Sequence, residues 1–189
     1  MRATTSFSLS SSTGAGLNLV VVSSPLIWLA KIGRLPLLTI LFGQVVIPRR
    51  VCEEATLEKQ FADAVLIGKA IEDGWIKVSE EKMEGANVLA DVSGIHLGEA
   101  EAILLAQKLG TELIVDEREA STTAQMFGVR PIGTIAVLLF ALARDELTLN
   151  EFKECLDRLI ASGFWLSIDV YNKALEEAQS MAKQKEMEN

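Results

Sequence analysis

The chain has 189 residues, 49% of them hydrophobic and 23% charged, which suits one well-buried domain and leaves too little for two. A formal net charge of -8 excludes a globally basic nucleic-acid binder, so any such contact needs a local basic patch or a bound metal. The two cysteines, Cys52 and Cys155, share no metal-ligand spacing and point to a reduced, cytoplasmic protein.

Residues 1–16 are rich in Ser, Thr and Gly, lack an apolar period, and read as a disordered tail or the product of an upstream start codon. The β-branched run over 17–22 predicts a buried parallel strand. Ser23, Ser24 and Pro25 supply an N-cap and an early-turn proline, predicting a helix to about Ile32 and then a second short one. Residues 44–47 are strand-like, and Pro48 begins a helix carrying Glu53 and Glu54. A helix over 59–72 ends at Asp73 and Gly74, and 75–78 is a third strand. The mixed-charge stretch 80–93 reads as a connection. From Gly98, the positions Ala102, Leu105, Ala106 and Leu109 recur at helical spacing, and Gly110 takes the C′ position. A short central strand is expected over 113–115, a helix over 119–127 stopped by Gly128, and an edge strand over 129–132. Three helices follow, over 134–144, 149–161 and from Val170 onward, with fraying expected from Lys183.

The apolar runs at 35–47 and 132–143 fall short of the ~20 residues that span a bilayer, so no membrane segment is predicted. Alternating strands and helices imply an α/β fold with a mostly parallel sheet covered on both faces. The expected organisation is a tail over 1–16, one domain over 17–178 and a charged C-terminal tail over 179–189.

Three short acidic islands stand at element boundaries: Glu53-Glu54, Glu99-Ala100-Glu101 and Asp116-Glu117. Two carboxylates ~4 Å apart repel by about 4 kcal/mol at an effective dielectric near 20. A fold that gathers such groups must protonate them or bind a hard cation such as Mg²⁺ or Mn²⁺. In parallel sheets, functional groups collect where strands end and helices begin, and Asp116, Glu101 and Glu54 are all placed there. Each has a local alternative. Glu53 and Glu54 suit a solvated helix face, Glu99 suits a helix start, and Asp116 suits an N-cap. Glu101 interrupts an otherwise apolar stripe. Adjacent helical residues point about 100° apart, so only one of Glu53 and Glu54 can face a site. His96, the one histidine, stands beside no serine elbow or reactive cysteine and is expected to be structural or exposed, while Cys52 reads as a small core residue. Lys31, Arg34, Arg49, Arg50, Arg118 and Arg130 could line one phosphate-contacting rim, against the commoner reading of scattered surface bases.

Taken in order, these segments resemble the PIN-domain family, in its VapC-like branch of small prokaryotic ribonucleases. The residues that carry the resemblance are Val20 to Ile27, Ile47 to Glu54, Leu97 to Ile103, Leu113 to Glu117 and Pro131 to Thr134, with Gly163 to Ser167 resembling a recurring ending. The resemblance implies a PIN-like three-layer sandwich, its mostly parallel sheet of about four to five strands covered by helices. It also implies an acidic pocket for one or two Mg²⁺ or Mn²⁺ ions that hydrolyses RNA. Glu54, Glu101 and Asp116 are its implied ligands, with Glu117 assisting, and Ser24 orients the first-strand acid or a water. A small antitoxin partner and a homodimer are implied as well. Two positions depart from the family pattern: Val22 replaces the acid, or Asn, at the end of the first strand, and Ser121 stands where an arginine is common. A valine binds no metal, so a catalytically inactive PIN-like binding module is the second reading. A phosphate-ester hydrolase with another substrate is the third.

Overall fold

Among the described residues five short strands pair side by side in one parallel sheet: β1 (Asn18–Val21), β2 (Gln44–Pro48), β3 (Ile76–Ser79), β4 (Leu113–Ile114) and β5 (Pro131–Ile132). The computed structural model describes residues 18–58 and 60–188; the segment 1–16 expected to be a tail lies outside them. Strand order is β3-β2-β1-β4-β5, so β1 is the middle strand, with β5 at an edge as expected. The helices are α1 (Ser23–Lys31), α2 (Leu37–Phe42), α3 (Arg49–Ala55), α4 (Ala62–Glu72), α5 (Ala86–Ser93), α6 (Leu97–Leu109), α7 (Arg118–Met126), α8 (Thr134–Ala143), α9 (Leu149–Ala161) and α10 (Ile168–Glu188).

The two-residue period of a strand sorts the apolar run of β1 between two layers. Leu19 and Val21 pack with Leu26, Leu38, Val137 and Phe152 from α1, α2, α8 and α9. Val20 and Val22 face the other way, onto Ala102 and Ile103 of α6 and Ala120 and Ala124 of α7. A sheet covered on both faces needs no polar side of its strands, hence the unbroken run of hydrophobic residues. The result is the three-layer α/β arrangement that the alternation of elements implied. Among the described residues no helix is long and apolar enough to cross a membrane.

Three expectations are corrected. The segment 80–93 contains α5, entered through Gly85 at φ 82° and left through Gly94 at φ 66°, left-handed positions that suit glycine. The helix expected from 59 begins at Ala62, after Phe61 in extended backbone, and residue 59 lies outside the described residues. The charged end, expected as a tail, is helical. Helix α10 continues to Glu188, held by buried Ala174 and Ala178 and by Lys185, which donates to the Leu142 carbonyl at 3.1 Å and to Asp145 at 2.6 Å.

Candidate functional site

All five strands run the same way, so their carboxyl ends share one edge, where α1, α3, α7 and α8 begin. Helix α6 runs back toward the start of β4, which puts its N-terminus, with Glu99 and Glu101, at that same edge.

Ser23 and Ser24 do not cap α1. Strand β1 ends at Val21, so Val22 takes the N-cap position and the two serines fall in the first helical turn. Their hydroxyls reach carboxylates from other elements instead. Ser23 Oγ donates to Glu54 Oε2 at 3.0 Å, and Ser24 Oγ donates to Glu117 Oε1 at 2.7 Å. Ser24 therefore orients Glu117, where the sequence reading had it serve a first-strand acid or a water. The Ser23 contact identifies Glu54, rather than Glu53, as the residue turned toward this edge.

Asp116 is not an N-cap either; Glu117 occupies that position without a side-chain cap. Both Asp116 oxygens are taken by Thr134, whose backbone N–H donates to Oδ1 and whose hydroxyl donates to Oδ2, each at 2.7 Å. In the sequence Thr134 stands out only as the last residue of the Pro131–Thr134 motif. Its role depends on β4 and β5 pairing, which brings the segment after each strand together.

Glu99 does what a helix-start acid should, accepting from the His96 backbone N–H at 2.8 Å. It is also 7% exposed and faces Glu117 closely enough to interact electrostatically, a second role that sequence reading did not give it. Burial raises the Glu99 carboxyl above its ordinary range, the His96 N–H opposes this, and the charge of Glu117 adds to it. Glu101 is raised too, first by burial and then by Glu54 and Glu53, against the lowering influence of Arg50, whose Nε lies 3.9 Å from Glu101 Oε1. Burial pushes Asp116 up to about 6 despite its two bonds from Thr134, with Glu117 adding to the rise.

The predicted ligands are thus gathered at one edge but in two groups. One holds Asp116 and Glu117 with Glu99, the other Glu54 and Glu101 with Glu53. Among the described residues no three His, Cys, Asp or Glu side chains stand close enough to hold one ion. The strand that separates the two groups is β1, and the residue at its end is Val22, 1% exposed and packed among apolar neighbours. The donors nonetheless suit a hard cation in kind, being oxygens throughout. Glu117 Oε2 is buried and meets no donor among the described residues, while the Glu99 carboxyl faces the same side chain, so a proton shared between the two acids or a cation is what satisfies it.

Glu54 lies against Gly98, in the first turn of α6, where a Cβ would come within 2.9 Å of both Glu54 oxygens. Gly98→Ala is therefore expected to displace the carboxylate, which is the free end of a flexible side chain, at little cost in stability. Alanine's better helix propensity offsets that cost by up to about 1 kcal/mol. The expected result is an unchanged or raised melting temperature with weaker Mn²⁺ binding by calorimetry. A lowered melting temperature with unchanged binding would show that Glu54 does not depend on this close approach.

The six basic residues do not form one rim. Lys31, Arg34 and Arg130 lie at the opposite edge of the sheet, Lys31 over the Trp28 ring, Arg34 paired with Glu151 and Arg130 with Glu112. Arg49 is tied to Glu80 by two bonds, which leaves Arg50 and Arg118 at the acidic edge. His96 is exposed, as expected, while Cys52, read as a small core residue, is only half-buried at the margin of the core.

Comparison with curated proteins gave no match, and comparison with solved structures gave none. A protein-family model, DUF3368, described as a PIN domain, matches residues 18–180. That stretch begins with the middle strand, ends within α10 and takes in every carboxylate at the acidic edge. With most of its length matched, this chain belongs to the PIN-domain family.

Proposed function

We propose that this protein is a divalent-metal-dependent ribonuclease of toxin–antitoxin type, acting in the cytoplasm, with weak cleavage because Val22 replaces an acid. The observation that carries this reading is the buried Glu117 Oε2, which meets no donor among the described residues and stands beside the Glu99 carboxyl at the carboxyl edge of the sheet. Glu54, Glu101, Asp116 and Glu117, with Glu99 beside them, are the residues that would hold Mg²⁺ or Mn²⁺. When bound, such an ion supplies Lewis acidity at a phosphodiester oxygen and lowers the pKa of an attacking water. The chain's own residues prepare that chemistry. Ser23 and Ser24 fix one oxygen each of Glu54 and Glu117, and Thr134 fixes both oxygens of Asp116. Asp116, pushed up to about 6, holds a proton in mildly acidic solution and releases it near neutrality. A small antitoxin or a second copy of the chain is the proposed partner. Exposed Val65 and Leu66 on α4, with Phe61 just before it, offer an apolar face of the kind partners cover.

The test is Mn²⁺ binding by calorimetry together with cleavage of single-stranded RNA, for the native chain and for Glu117→Gln and Glu101→Ala. Glu117→Gln removes the charge while keeping the shape, and is expected to weaken Mn²⁺ binding about tenfold or more, a loss of at least ~1.4 kcal/mol. Native Mn²⁺ binding that both variants lose supports the assignment. If neither binding nor cleavage occurs in the native chain, the nuclease reading fails. The second reading is then preferred: a non-catalytic PIN module that associates with RNA or protein, favoured by the buried apolar Val22.

A further inference from the structure

A protein of net charge -8 with an acidic working edge repels a polynucleotide unless cations stand beside that edge. Two arginines do. Arg50 is the second residue of α3, which follows β2, and Arg118 is the first residue of α7, which follows β4. Strand order puts β1 between them: the strands that lead to them, β2 and β4, are two spacings apart, roughly 10 Å, with Val22, Ser23 and Ser24 following the strand in the middle.

Arg118 has no pair among the described residues, and Arg50 has only a loose one. The Arg50 side chain is 46% exposed, and its 3.9 Å approach to Glu101 is too long for a hydrogen bond. Arg118 is exposed, and its side chain makes no hydrogen bond or ion pair with any described residue. Arg49, one residue before Arg50, differs: both its Nε and its NH2 group bond to Glu80. The guanidinium fork matches phosphate oxygens two at a time, and its charge persists at any physiological pH.

We propose that Arg50 and Arg118 form a clamp on the phosphate backbone of a single-stranded polynucleotide that lies across the acidic edge. The inference rests on the nuclease reading above and extends it to how the substrate is held. Arg50 leaves Glu101 for phosphate when the strand arrives, and Arg118 meets the backbone on the far side of β1. Each contact neutralises one phosphate and releases its condensed counterion, so each is visible in the salt dependence of binding.

The experiment measures fluorescence anisotropy of labelled oligouridylate and oligothymidylate of about 12 nucleotides, in EDTA, from about 50 to 200 mM salt. Arg50→Ala and Arg118→Ala are each expected to flatten the plot of log affinity against log salt by about 0.7. Affinity at the lowest salt is expected to fall several-fold for each variant. Both probes should behave alike, because the clamp reads phosphate and not the 2′-hydroxyl. Arg50→Lys should keep the slope, since the charge remains. Arg130→Ala, at the opposite edge, should change nothing. Native binding with unchanged slopes in both alanine variants overturns the clamp and leaves the nuclease reading standing. A native chain that binds neither probe, in EDTA or with Mn²⁺ added, overturns both.

Discussion

Val22→Asp is expected to destabilise the metal-free protein by about 3–5 kcal/mol and to bind Mn²⁺ at least tenfold more tightly than the native chain. Val22 is 1% exposed, in an apolar cluster with Ile103 and Val115, so a carboxylate there loses hydration, and the first-turn N–H groups of α1, which Val22 leaves without a side-chain cap, return only part of that loss. Glu99, Glu101 and Glu117 at the same edge add repulsion, which the exposed Arg50 and Arg118 offset only in part because solvent screens them. Against a total stability of about 5–15 kcal/mol, such a loss lowers the melting temperature in EDTA by on the order of 10 °C. A bound cation reverses the sign of the effect, because it needs negative ligands and Val22 stands where the two acidic groups are separated. Mn²⁺ at about 100 times its dissociation constant returns about 2.7 kcal/mol through linkage. Thermal melts in EDTA and in Mn²⁺ therefore separate the two contributions, and Val22→Ala, which only removes contacts, should lose stability without gaining Mn²⁺ affinity. If Mn²⁺ restores nothing to Val22→Asp, the carboxylates do not converge around position 22, and the shared metal site is the part of the reading that fails.

The parts of this molecule legible in its sequence are those fixed by neighbours along the chain. Helix α9 begins and ends at the residues expected, because Thr148 and Glu151 form a reciprocal capping pair and the apolar stripe is uninterrupted. The two-sided burial of β1 followed from its unbroken run of hydrophobic residues. Helix α5 was not legible. It spans only eight residues, lies between Gly85 and Gly94 in a charged stretch, and leaves Val88 and Val92 exposed, so it offers no clear apolar stripe. The acidic edge was legible as a set of residues but not as a set of contacts. Ser23 and Glu54 are 31 residues apart, and Ser24 and Glu117 are 93 apart. Which of them meet is decided by strand order, and local pattern carries no information about whether β4 or β5 lies beside β1. The same reason hid Thr134, whose partner Asp116 lies across a strand pair, and Glu99, whose capping role is visible locally while its approach to Glu117 is not.

Stability is expected to fall by up to about 3 kcal/mol as pH rises from about 4 to about 6, through Asp116 alone. Its carboxyl moves from an ordinary 3.8 up to about 6 in the folded chain, chiefly by burial, with the Thr134 bonds opposing and Glu117 adding to the rise. Between those two values the folded protein keeps a proton that the unfolded chain has released. The native state thus binds more protons, so raising the pH through that window favours unfolding, and above it the loss is complete. Glu99 and Glu101 are raised as well and slope in the same direction, so the native curve alone does not isolate Asp116. The difference between the native chain and Asp116→Asn does. The amide still accepts from the Thr134 N–H and has no proton to lose, so urea midpoints of the variant should show a shallower fall from pH 4 to pH 6. A metal held by the ionised carboxylate opposes the proton, so Mn²⁺ should reduce the native slope and bind more tightly as the pH passes about 6. An Asn variant with the native slope would mean that Asp116 is already ionised at pH 4, with its two bonds from Thr134 outweighing its burial. The proton shared at this edge would then belong to Glu99 or Glu101.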